Sequence, residues 1–182
     1  MIRGSVLGVC VLLAACSSTS SLGDRIRRSP PPPLVVLGRA SIRLPVSGTG
    51  PITFGLVLID NQGRRVAHIT GLRLLGAHGA SIVGSRLQLL PPRRDTPTAL
   101  DHWPPREYAT TAGTGPIPPS VRNDTDTGYL SSAQLLIGIA FDRRASFDGV
   151  QVDYRVDGDR YRLQTQMAGV FCRTAHVLDG CP

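Results

Sequence analysis

From Leu34 onward, apolar and polar residues alternate with a period of two, the spacing of a strand with one buried face. Ile52, Phe54, Leu56 and Leu58 share one parity, and their run ends at Asp60-Asn61-Gln62-Gly63, a turn signal. Val66–Leu75 and Ser81–Leu90 read as two further strands, parted by Gly76-Ala77-His78-Gly79. Leu135, Ile137, Ile139 and Phe141 alternate, as do Val150, Val152, Tyr154 and Val156. Asp157-Gly158-Asp159 then leads into Tyr161, Leu163, Thr165 and Met167. Two alternating runs around a glycine-centred turn predict a hairpin. With a first strand over Leu34–Leu44, about seven strands are expected, and no long amphipathic helix.

This pattern predicts an all-β chain folded as an antiparallel β-sandwich. Over roughly residues 34–172 it resembles the immunoglobulin-like domains of surface proteins from high-GC bacteria. The resemblance is carried by Gly55-Leu56-Val57-Leu58-Ile59-Asp60-Asn61 and Gly149-Val150-Gln151-Val152-Asp153-Tyr154. It implies a fold and not a function. The antibody-type Cys…Trp…Cys core is missing, because Trp103 stands outside every predicted strand, so aliphatic residues are expected to fill the interior.

The N-terminus has a different pattern. Arg3 precedes an apolar run from Val6 to Ala14, which closes on Leu13-Ala14-Ala15-Cys16 and a serine-rich stretch. The run is shorter than the roughly 20 apolar residues that cross a bilayer, and its layout is that of a secretory leader. Leu-Ala-Ala-Cys in register at the end of that run resembles the lipobox of bacterial prolipoproteins. The resemblance implies cleavage before Cys16 and attachment of diacylglycerol to its sulfur. Two acyl chains suffice for stable anchoring. The expected organisation is therefore a leader over 1–15, a Ser/Pro-rich tether over 16–33 and a sandwich domain over 34–182. Arg25, Arg27 and Arg28 of the tether would either approach an anionic bilayer or simply be solvated.

The segment 91–131 contains eight prolines and no strand pattern. Loops this long are usually functional or disordered, and binding residues concentrate on loops carried by rigid sheets. Its candidate binding residues are His102, Trp103, Tyr108, Asp124 and Asp126. Asp124-Thr125-Asp126-Thr127-Gly128 opens like a calcium loop, but turn chemistry explains it equally well. Asp101-His102-Trp103 offers a metal or ligand contact, though the four histidines are scattered and no paired ligand spacing exists. Trp103-Pro104-Pro105 is either an aromatic anchor for a partner or a plug pinning the loop to the sandwich.

Composition narrows the chemistry. All 20 basic residues are arginine, and Glu107 is the one glutamate. Without lysine there is no Schiff base and no phosphate loop ending in Lys. No Gly-x-Ser-x-Gly elbow is present, and no catalytic constellation, metal site or cofactor is assigned. The net charge of +7 favours anionic partners. Outside the cell these would be lipid headgroups or wall polymers and not nucleic acid. Once Cys10 leaves with the leader and Cys16 carries lipid, Cys172 and Cys181 remain. An even pair in an oxidising compartment predicts a disulfide; a metal pair with His176 or two free thiols are the alternatives. The expected protein is an extracytoplasmic lipoprotein anchored by its N-terminal lipid, binding or scaffolding an envelope protein or anionic polymer. The alternative is a metal carrier or hydrolase that uses the 91–131 loop.

Overall fold

The computed structural model describes residues 31–89, 98–106, 110–120, 133–174 and 181. Cys16 and most of the tether, Tyr108, Asp124, Asp126 and His176 lie outside the described residues. The described chain is built of strands: β1 (Leu34–Val36), β2 (Ala40–Val46), β3 (Ile52–Asn61), β4 (Ala67–Leu75), β5 (Ser81–Leu89), β6 (Ala99–Leu100), β7 (Thr111–Ala112), β8 (Pro116–Ile117), β9 (Ala133–Ala140), β10 (Arg144–Phe147), β11 (Gly149–Val156), β12 (Asp159–Gln164) and β13 (Met167–Arg173).

Three sheets share one core. The largest runs β1-β3-β9-β5-β7, with β6 on the free part of β3; the others run β10-β13-β2 and β12-β11-β4-β8. Their inward residues meet in a single cluster that includes Ile59, Leu135 and Ile137 from the first sheet, Phe147 and Phe171 from the second, and Ile69, Val152 and Tyr154 from the third. Each residue alternates inward along its strand because successive side chains point to opposite faces. The all-β class of packed sheets expected from the pattern is the class observed.

Four expectations are corrected. First, thirteen described strands replace about seven: two expected runs are cut where the chain changes sheet, and the short β6, β7, β8 and β10 lie where no strand was expected. Leu34–Leu44 is broken after Val36; Gly38 at φ 83° turns the chain from the first sheet to the second. A single residue, Asp148, separates β10 in the second sheet from β11 in the third, and Thr165-Gln166 separates β12 from β13. The Thr165 hydroxyl accepts the backbone N–H of Val150 (3.0 Å) and of Met167 (3.3 Å), so it satisfies amides on both sides of that crossing. Second, the sandwich is not wholly antiparallel: β2 pairs with β13 in parallel, Met167 opposite Ala40. Third, the interior is not purely aliphatic. Phe54 packs edge-on against Phe147 at 5.0 Å, and Phe171 touches Phe54, Phe141 and Phe147, so all four phenylalanines of the chain form one knot.

The fourth correction concerns β3. Its register against β9 shifts between Phe54 and Val57. Ile52 and Phe54 point inward, but beyond this bulge Val57 and Ile59 do, and Leu56 and Leu58 are only half-buried. One extra residue flips the facing of everything after it. The bulge leaves the Gly55 carbonyl off the ladder, and the buried Gln134 side chain donates to it at 2.5 Å. The predicted hairpin is present: β11 and β12 pair from Gln151↔Gln164 to Val156↔Asp159, leaving Asp157-Gly158 as a two-residue turn. Both turn residues have positive φ (50° and 92°), the geometry that matches strand twist in such turns.

Candidate functional site

The middle segment is woven into the sheets. Its described parts form β6 along β3, β7 along β5 and β8 along β4. The long proline-rich loop therefore reaches both the first and the third sheet. Asn61, at the end of β3, fixes part of this path. Its amide donates to the carbonyls of Arg65 and Ile117, both at 2.9 Å, and its carboxamide oxygen accepts from Gly63 at 3.0 Å. The Ser120 hydroxyl and amide both donate to the Asn61 carbonyl. The residue read as a turn former is thus also a buried clamp.

Trp103 lies on the outward side of the first sheet. Gly84 and Gly138 face each other across β5 and β9. A Cβ on Gly138 would stand 2.5 Å from the indole Cδ2, and one on Gly84 3.0 Å from its Cζ2. Two side-chain-free positions in register make a notch, and the indole fills it. Leu136, fully buried yet outside the main cluster, shows that this sheet is covered on its second face as well. Of the two readings of Trp103-Pro104-Pro105, the plug is the one observed; Pro105 is buried and the Trp103–Pro104 bond is cis. Asp101 and His102 stay at the surface, Oδ1 to Nδ1 3.0 Å, with Thr53 Oγ1 donating to the His102 carbonyl at 2.6 Å. No group of three metal-ligating side chains occurs among the described residues.

The tail is held by two devices. Cys172 and Cys181 are bonded, with Cα atoms 5.6 Å apart. Beside them the Arg173 guanidinium donates to the carbonyls of Gly48, Thr49, Gly50 and Phe141, and lies 4.0 Å above the Phe141 ring. Burial there pulls its pKa below the usual arginine value.

The outward face of the third sheet has a different character. Register places Gln164, Gln151 and Arg73 in one row, Arg162, Asp153 and Gly71 in the next, and Arg160, Arg155 and His68 in a third. Gln151 Oε1 accepts from Arg73 at 2.8 Å, and Arg162 Nε donates to Asp153 at 2.9 Å. The Arg162 bond holds the Asp153 carboxyl below its ordinary pKa. On the inward side of the same strands Tyr154 stacks on Tyr161 at 5.3 Å. Burial raises the Tyr154 phenol, whose oxygen accepts the Leu34 N–H at 3.3 Å.

Two clefts open in this region. One, of about 440 Å³, is lined by Asp153, Arg155, Arg160 and Arg162; the other, of about 510 Å³, by Arg64, Arg65, Val66, His68 and Asp157. Arg65 pairs with Asp157 at 3.5 Å, and Arg162 with Asp153. Arg64, Arg155 and Arg160 are exposed and make no ion pair among the described residues. The sequence reading did not assign these arginines. The signal was present in Arg160-Tyr161-Arg162-Leu163-Gln164, whose alternation sends both arginines outward, but nothing in the chain shows that Arg64 and Arg155 join them.

No protein-family model matches the chain, and no curated protein is similar to it in sequence. Among solved structures it is similar to the ASH/PapD-like domain 7 of human CEP192, at 12% identity and a TM-score of 0.38, over 85% of this chain and 97% of that one.

Proposed function

We propose that the protein is a lipid-anchored lipoprotein of the bacterial cell envelope, whose sandwich serves as a binding or scaffolding module on the outer face of a membrane. The observation that carries this reading is Leu13-Ala14-Ala15-Cys16 in register at the end of the apolar run. Two features support it. The apolar run is shorter than the roughly 20 residues that cross a bilayer, and serine-rich and proline-rich stretches between Cys16 and Leu34 have the composition of a tether. The Cys172–Cys181 bond suits an oxidising compartment.

Cys16→Ala is expected to abolish both incorporation of radiolabelled fatty acid and partitioning into detergent. A variant that still partitions as the wild type does would remove Cys16 as the anchor. The alternative, a metal carrier or hydrolase on the 91–131 segment, is weakened because Trp103 is committed to the glycine notch. It retains the surface pair Asp101–His102. Stoichiometric metal in the purified protein would favour it.

A further inference from the structure

The tether enters the body at the basic end of the third sheet. Pro33 accepts the backbone N–H of Gln62 at 2.8 Å, and its Cβ lies 2.7 Å from where a Cβ on Gly63 would stand. The next residues are Arg64 and Arg65, both exposed. Arg65 reaches Asp157 in the β11–β12 turn, and Arg155 and Arg160 are opposite each other one pair in from that turn. The entry strand, the β3–β4 turn and the β11–β12 turn therefore share one end of the molecule. Leu34 is tied to the same hairpin through the Tyr154 hydroxyl.

We infer that this end, centred on Arg64, Arg155 and Arg160, docks on the phosphate groups of anionic phospholipids in the membrane that holds the tether. The inference rests on the lipid-anchor reading for its orientation, but the surface it names does not depend on lipid. Three properties favour phospholipid. The three arginines have no carboxylate partner among the described residues, so no internal pair has to break. Arginine forms bidentate bonds with phosphate oxygens and is less strongly hydrated than lysine. Val66, one of three large apolar side chains exposed among the described residues, at 40%, lines the cleft that holds Arg64 and adds an apolar contact at the headgroup boundary. The nearby acids temper the surface without cancelling it. Asp157 and Asp153 face Arg65 and Arg162; Asp159 stands beside the β11–β12 turn and Asp60 near the end of β3, against Arg64, Arg155 and Arg160, with His68 in the row of the last two.

The test uses the mature chain from residue 16 with Cys16→Ser, made without its leader, so that no acyl chain contributes. Wild-type body is expected to co-sediment with vesicles of phosphatidylglycerol and phosphatidylcholine, weakly or not at all with phosphatidylcholine alone, and less as salt screens the surface. Near an anionic surface each basic residue is worth about fivefold in partitioning. Arg64→Gln/Arg155→Gln/Arg160→Gln should therefore reduce binding by more than about tenfold. Arg86→Gln/Arg143→Gln/Arg144→Gln removes the same charge from exposed positions elsewhere and should reduce it far less. Equal losses in the two triple variants would mean unlocalised charge and would overturn the inference. So would absent vesicle binding, including the case in which the chain binds soluble polyphosphate instead. Either result leaves fatty-acid labelling of Cys16 unaffected, so a failure here is distinguishable from a failure of the anchor.

Discussion

Single glycines decide how the middle segment is fastened. Gly138 stands where any side chain would enter the Trp103 indole, and Gly84 across the strand is nearly as tight. Gly138→Ala should cost about 1–3 kcal/mol, the usual penalty for overpacking a filled site. It should also shift the emission of the chain's one tryptophan to the red. In a Trp103→Ala background the same glycine change should cost much less, because residues in contact do not contribute additively. Denaturant unfolding of the two single variants and the double variant measures the coupling; strict additivity would show that the notch is not where the indole sits. Asn61 is the polar counterpart. Its amide and carbonyl together join the β3–β4 turn to the segment after β8. In sequence it is indistinguishable from an ordinary turn asparagine, because burial is a property of what packs over it.

At the scale of elements, the tail depends on covalent closure. The Cys172–Cys181 bond ties the end of β13 to the C-terminus across nine positions. The chain-entropy model assigns a loop of that size roughly 2–3 kcal/mol. Cys172→Ser/Cys181→Ser should lower stability by about that amount while leaving the sheets folded, since the Arg173 contacts to residues 48–50 stay on the near side of the bond. Thiol titration of the unreduced, denatured protein should find neither cysteine free; two free thiols would reject the bond. The pairing of cysteines was legible as an expectation: with Cys10 assigned to a leader and Cys16 to a lipid, Cys172 and Cys181 were the pair left. The longer strands were legible too, from alternation, whereas the short β6, β7, β8 and β10 were not. Strand boundaries were not, because β1 and β2, and β12 and β13, are continuous in pattern and are separated only by the choice of partner sheet. The phase of β3 was misread for a related reason: its bulge is set by pairing with β9.

For the whole molecule, pH should act through the third sheet. Burial raises the Tyr154 phenol, so the folded state holds its proton more tightly than the unfolded chain does. That contribution is fully present below the unfolded tyrosine value of about 10 and is lost as pH rises through the raised folded value. Urea midpoints should therefore fall on the alkaline side, and Tyr154→Phe should flatten that fall. An identical alkaline decline in the variant would assign it to another group. Asp153 acts in the opposite sense: its lowered carboxyl favours folding above the ordinary aspartate range and loses that effect as acid protonates it. The sequence by itself determined the compartment expectation, the strand class, the hairpin and the cysteine pair, since each follows from neighbours a few positions apart. Only the tertiary structure decided that Trp103 is a plug, that Asn61 is a clamp, and that Arg64, Arg155 and Arg160 gather where the tether enters. Those residues are brought together by sheet register and crossings between sheets, which join positions up to a hundred or so residues apart and leave no local period to read.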